Sequence, residues 1–215
     1  MMRASSILLS CAVLAASISG VAQATVIFTP GDHPQADEEN IMFETAQTGT
    51  TITGDTDRSN TPVQFTSTQS LTTQGLGQAF LEPTPPATTI TGTVTFTVPG
   101  HTFLDYIFNP MGGSGTATVM AVANDGTFTD LFPLENGNDF LTITTTGGET
   151  ISSVSISAPG GFASYRQPRV SDISDVILPP VPEPSSLALL GSALAAGGFG
   201  IFARRRRRVT ADSLA

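Results

Sequence analysis

The sequence predicts an all-β chain, an antiparallel β-sandwich of jelly-roll-like topology, with a single transmembrane helix at its C-terminus. Three observations lead there. Between Val26 and Val176, Thr, Val, Ile and Phe alternate with a period of two, as strands with one wet face require. Gly, Pro and Asn-Asp pairs interrupt that alternation at spacings of about 8 to 12 residues, the rhythm of short strands in sandwiches and barrels. Near the end, Ser185 to Ala203 is a run of 19 residues without a charge.

Taken in order, residues 1–24 carry the marks of a signal peptide. Arg3 gives the positive start, Ile7 to Ile18 the short apolar stretch, and Ala22-Gln23-Ala24 the small-residue cleavage pattern. The apolar stretch falls short of the roughly 20 residues a spanning helix needs. The sandwich is predicted over residues 25–177. Within it, PGDHPQADEEN (residues 30–40) reads as a loop or arm, charged and turn-rich. TITGTVTFTV places Ile90, Val94, Phe96 and Val98 on one face of a strand. GTATVMAVANDGTFTDLF reads as two strands joined at Asn124-Asp125-Gly126, with Asp-Gly supplying the positive backbone angles of a tight hairpin. In ISSVSIS, Ile151, Val154 and Ile156 break the alternation by one residue, which marks a bulge. TQSLTTQGLGQAFLEPTPPATT carries two prolines in a row and reads as a crossing between sheets. The total is about nine to eleven strands, and no fixed period supports a stacked β-helix instead.

Composition narrows the chemistry. The one cysteine, Cys11, leaves with the signal peptide, so the exported part has no disulfide, no thiol nucleophile and no thiolate metal ligand. From Thr25 to Pro180 there are 16 Asp and Glu against Arg58, Arg166 and Arg169, and the chain has no lysine. Such a field repels nucleic acid and anionic lipid; it attracts divalent cations or basic partners, and it also serves plain solubility.

The tail concerns delivery. In the Pro-rich linker, residues 178–184, Pro179, Pro180, Pro182 and Pro184 hold the backbone extended. Residues 185–203 as a helix span about 28 Å, enough for one bilayer crossing. Arg204, Arg205, Arg206, Arg207 and Arg208 open an Arg-rich cytoplasmic tail, residues 204–215, that stops transfer and leaves the preceding domain outside. Val181-Pro182-Glu183-Pro184, the Gly- and Ala-rich helix and the arginine cluster together resemble the PEP-CTERM sorting signal. That resemblance implies a Gram-negative, exopolysaccharide-secreting source and recognition of Pro182-Glu183-Pro184 by an exosortase. The enzyme removes the helix and releases or re-anchors the domain. The extension VTADSLA after the arginines departs from the family, which more often ends there. The segments ENIMFE, GLGQAF, DFLTITTTGGETISSVSIS and GGFASYRQPRVSDI also resemble ectodomains that precede this signal.

Catalytic signals are sparse. His33 sits in the polar arm and His101 follows the Pro99-Gly100 turn, so both read as surface histidines. GGSGT at residues 112–116 lacks the second glycine of a nucleophile elbow and reads as a turn. Glu135, Asp139 and Glu149 are the carboxylates a glycoside hydrolase reading has to use, though turns and solvated faces explain them equally well. There is no tryptophan for sugar stacking, which leaves Tyr106, Tyr165 and exposed phenylalanines as substitutes. Asp55-Thr56-Asp57-Arg58-Ser59-Asn60 alternates oxygen donors, so Asp55 and Asp57 are the candidate ligands for calcium, the one cofactor the sequence raises. In GGFASYRQPRV, Phe162 is expected in the core of a last strand and Arg169 on Asp172 or Asp175.

The sequence reading is therefore an exported, non-enzymatic protein, held at the inner membrane and then passed to the cell surface or extracellular matrix. Its ectodomain has a structural role or binds exopolysaccharide or copies of itself. Two alternatives stay open: a secreted hydrolase of polysaccharide, and a periplasm-facing protein permanently anchored in the inner membrane.

Overall fold

The computed structural model describes residues 24–75 and 77–176. The expected signal peptide before residue 24, the sorting motif at Pro182-Glu183-Pro184, the helix over 185–203 and the arginines at 204–208 lie outside the described residues. Among the described residues there is no helix, and every strand pairing is antiparallel.

The strands are β1 (Thr25–Pro30), β2 (Glu39–Phe43), β3 (Gln47–Thr56), β4 (Pro62–Thr73), β5 (Gly77–Gln78), β6 (Phe80–Pro83), β7 (Val94–Thr97), β8 (His101–Thr102), β9 (Asp105–Met111), β10 (Gly115–Ala123), β11 (Gly126–Leu134), β12 (Leu141–Thr146), β13 (Ile151–Ser157), β14 (Ser164–Ser171) and β15 (Ser174–Asp175). They exceed the nine to eleven expected because the Pro-rich crossing holds β5 and β6, and because β8 and β15 are a two-residue pair of their own. One hydrogen-bonded path runs β1-β12-β9-β14-β2-β3-β4-β7-β13-β10-β11. Two strands turn the corner in it. β2 pairs with β14 through Glu39 and Asn40 and with β3 through Ile41 and Met42, while β6 pairs with β14 through Phe80 and Leu81 and with β4 through Glu82 and Pro83.

Folding the path over brings two apolar faces together. Phe65 of β4 and Phe96 of β7 come from one side, and Tyr106 and Phe108 of β9 with Tyr165 of β14 from the other. Phe96 stacks on Tyr106 with ring centres 4.2 Å apart, and Phe65 meets Tyr165 edge-on at 5.8 Å. All five rings are buried. The alternation read in residues 89–98 is this inner face, since Ile90, Val94, Phe96 and Val98 are all buried while the threonines at 95 and 97 are half-buried. The expected bulge in β13 is present: Val122 of β10 faces Ser153 and Ala123 faces Ile151, leaving Ser152 over.

The β10–β11 hairpin closes as expected, with Ala123 opposite Gly126, but its backbone differs. Gly126 takes a positive φ of 140° and Asp125 does not. Contacts from the β12–β13 connection hold the turn instead. Asn124 exchanges backbone and side-chain bonds with Thr150, and the Asp125 N–H donates to Glu149 Oε1 at 2.9 Å.

β14 is a central strand rather than the last. Phe162, just before it, is buried as predicted. Arg169 bonds Asp32 and Glu38 (3.0 Å) from the arm before β2 rather than Asp172 or Asp175. The reason is register: Arg169 faces Asn40 of β2, so the acids leading into β2 reach it first.

Candidate functional site

A proline inside a strand flanked on both sides has no N–H to give the ladder, so the strand must bulge there. In β14 that residue is Pro168. Arg166 pairs with Asn109 and Arg169 with Ile107, so Gln167 and Pro168 together face a single residue of β9. Gln167 takes φ 50° and donates its N–H to Ala79 O at 3.2 Å. A left-handed backbone at a residue that is neither Gly, Asn nor Asp costs about 1–2 kcal/mol. Bulges of this kind re-aim side chains, and this one presents Arg166 and Gln167 outward.

They line a cleft of about 330 Å³ with Gln78, Phe80, Met111 and Asn138. The Arg166 guanidinium lies over the Phe80 ring, 4.3 Å from its centre, and its Nε–H donates to Ser164 Oγ at 2.8 Å. Asn138 is set by buried Asn109, whose Nδ2 donates to Asn138 Oδ1 at 3.0 Å while its Oδ1 accepts the Asp139 N–H. Gln78 Nε2 donates to Asn40 Oδ1. The Gln167 side-chain amide, Gln78 Oε1 and Asn138 Nδ2 make no hydrogen bond among the described residues, and all three residues line the cleft. Asn138 also lines a second cleft of about 280 Å³ with Asp32, Phe132, Glu135, Asp139 and Phe140; the two clefts share that one residue and are taken together as a groove, its acids on the second side only.

The carboxylates read as candidates for glycoside hydrolysis separate. Glu135 and Asp139 share the β11–β12 loop and this groove, with the Glu135 N–H donating to Asp139 Oδ2 at 2.9 Å. Glu149 lies past the far end of β12, fully buried, with Oε2 unpartnered among the described residues. The solvated-face reading therefore fails for Asp139 and Glu149, both of which the fold encloses. Burial pushes the Asp139 carboxyl up; the Glu135 N–H opposes this and the Glu135 charge adds to it. Tyr106 and Tyr165 are core residues rather than sugar platforms, each about fully buried, their hydroxyls 2.7 Å apart.

A larger acidic cleft of about 550 Å³ lies among Asp37, Glu39, Arg58, His101, Asp172 and Asp175. Much of its polar lining is already spent internally. Burial pulls the Glu39 carboxyl up, but bonds from Ser59 and its neighbours outweigh that and hold it below the ordinary carboxylate range. Arg58 donates to the carbonyls of Asp37 and Glu38, and His101 Nδ1 meets Asp175 at 3.2 Å. The turn expected to bind calcium borders this cleft. Both oxygens of Asp57 accept from Asn40, at 3.0 and 2.8 Å, while Asp55 sits in β3 opposite Met42 and Pro62. Among the described residues no three His, Cys, Asp or Glu side chains are grouped to hold a metal. His33 is exposed, its Nε2 3.0 Å from the Pro30 carbonyl oxygen.

No family model matches this chain, and no curated protein matches it. Among solved structures it resembles two mutant forms of CBM29-2, a family 29 carbohydrate-binding module studied for ligand recognition. One aligns at TM-score 0.29 and 9% identity over 74% of this chain and 100% of that one. The other aligns at 0.30 and 7% over 74% and 99%. At that level of superposition and identity the likeness assigns neither fold nor ligand.

Proposed function

We propose that this is an exported, non-catalytic protein whose jelly-roll sandwich binds polysaccharide in the groove centred on Asn138. What supports the jelly roll is strand order. Of eight strands counted from β6 to β14 without β8, one sheet holds the first, eighth, third and sixth, and the other the second, seventh, fourth and fifth. Two interlocked Greek keys produce that alternation. The observation that carries the binding reading is the set of unspent amide atoms on Gln78, Gln167 and Asn138, which line one cleft with the Phe80 ring, Gln167 standing on a strained bulge. Sugar hydroxyls both donate and accept, as do side-chain amides, and Phe80 adds an apolar surface.

The test is retention of the full chain on the producing cell's own polysaccharide. Gln78→Ala and Asn138→Ala are each expected to weaken it about threefold to tenfold. Gln167→Gly relieves the left-handed strain, which outweighs the chain entropy glycine adds, so it raises stability by about 0.5–1 kcal/mol while weakening retention. Retention unchanged in all three variants rules the groove out.

The tail is proposed as a PEP-CTERM signal, processed by an exosortase on the way to the cell surface or matrix. A C-terminal peptide ending near Glu183, measured by mass on protein from envelope and medium, is the expected result; one ending at Ala215 means a permanent membrane anchor. A hydrolase remains a second reading because Asp139, a carboxyl raised by burial, shares the groove with Glu135. Turnover of polysaccharide lost in both Asp139→Asn and Glu135→Gln would replace the binding reading with it.

A further inference from the structure

We infer that the Arg166 end of the groove recognises a sugar carboxylate, so that the ligand is a uronic-acid-bearing polysaccharide rather than a neutral one; this rests on the groove being the binding site. Three arginines lie among the described residues. Arg169 is divided between Asp32 and Glu38, and Arg58 is spent on the carbonyls of Asp37 and Glu38. Arg166 makes no ion pair among the described residues, and its two terminal nitrogens make no hydrogen bond there. In a chain with 18 acidic against nine basic residues, this half-buried guanidinium keeps its two terminal nitrogens available to a carboxylate.

Its surroundings fit an incoming carboxylate. The cleft it lines contains no acidic residue, and Gln78, Asn138 and Gln167 stand ready for the hydroxyls beside the carboxyl group. The ring of Phe80 beneath and the Ser164 bond at Nε fix the guanidinium plane before any ligand arrives, so little side-chain freedom is left to lose. A planar fork of two N–H groups matches the two oxygens of a carboxylate. The chain's overall negative charge repels a polyanion at long range, but at physiological salt that repulsion fades beyond about 8 Å, whereas a direct paired contact survives.

The test compares polygalacturonate with the same polymer after reduction of its carboxyl groups, using the full chain at physiological salt. The acidic polymer is expected to bind at least about tenfold tighter, as charge-assisted hydrogen bonds imply. In Arg166→Gln that ratio is expected to fall close to one, and Arg166→Lys, a point charge without the fork, to give an intermediate ratio. The lysine variant also serves if the glutamine variant does not fold. Equal binding of the two polymers by the unmodified chain overturns the inference, as does a ratio that survives in folded Arg166 variants. If both polymers bind equally and Gln78→Ala weakens both, only the carboxylate assignment falls. If neither polymer nor the native polysaccharide binds, the groove reading falls and takes this one with it.

Discussion

Between about pH 4 and pH 7 the Asp105 carboxyl is expected to withdraw about 3 kcal/mol from the stability of the fold. Asp105 opens β9, is 6% exposed, and faces Ser171 of β14. Burial pushes its pKa from an ordinary 3.8 to about 6; the Ser171 hydroxyl, donating to Oδ2, opposes that rise, and the charges of Asp172 and Glu38 add to it. Its Oδ1 has no partner among the described residues. Because the folded chain holds this proton more tightly than the unfolded chain, stability falls as pH rises from the unfolded value to the folded one, and the loss is complete above it. Asp139, also raised, acts in the same direction, while Glu39, held low, acts in the opposite one. The measurement is therefore a difference. Denaturant unfolding of the unmodified protein and of Asp105→Asn is followed from pH 4 to 7.5. The variant is expected to gain about 3 kcal/mol relative to the parent across that range. Parallel stability curves overturn the assignment.

The parts of this fold that were legible in the sequence are those set by local period. The buried face of residues 90–98 and the extra Ser152 in β13 follow from a two-residue repeat, which needs no knowledge of the neighbouring strand. What was not legible depends on which strands meet. Arg169 is 131 residues from Glu38 and 137 from Asp32, and only the pairing of β14 with β2 makes them neighbours. The tyrosines look like candidate surface aromatics until Phe65 of β4 and Phe96 of β7 pack onto the face that β9 and β14 share, which buries both. Asp139 and Glu149 sit in turn-like sequence, and the connections that enclose them are likewise long-range. The groove had one local signal, the Gln167-Pro168 step inside a strand pattern, which demands a bulge; Gln78, Phe80 and Asn138 come from separate segments and gave none.

The same long-range meeting yields the second large effect, at Tyr106 and Tyr165. Their hydroxyls bond only each other among the described residues, 2.7 Å apart, and the rings packed around them are Phe96, Phe103, Phe108, Phe65 and Phe162. Burial pushes both phenols well above their usual range, so neither ionises where the protein is folded. Tyr106→Phe keeps the stacking on Phe96 but strands the Tyr165 hydroxyl without a partner, and Tyr165→Phe does the converse. Each is expected to cost about 1–3 kcal/mol, the desolvation penalty of an unsatisfied buried polar group. The double variant removes both hydroxyls and leaves an all-apolar stack of nearly unchanged shape, so it is expected to cost less than either single variant, within about 1 kcal/mol of the parent. A double-mutant cycle on denaturant unfolding reads this as a coupling of at least about 1 kcal/mol. Additive losses mean that each hydroxyl finds another partner, such as an enclosed water. In that case the tyrosine pair does not tie β9 to β14 through a bond of its own, and the register of those two strands beside the groove depends on their ladder and on ring packing alone.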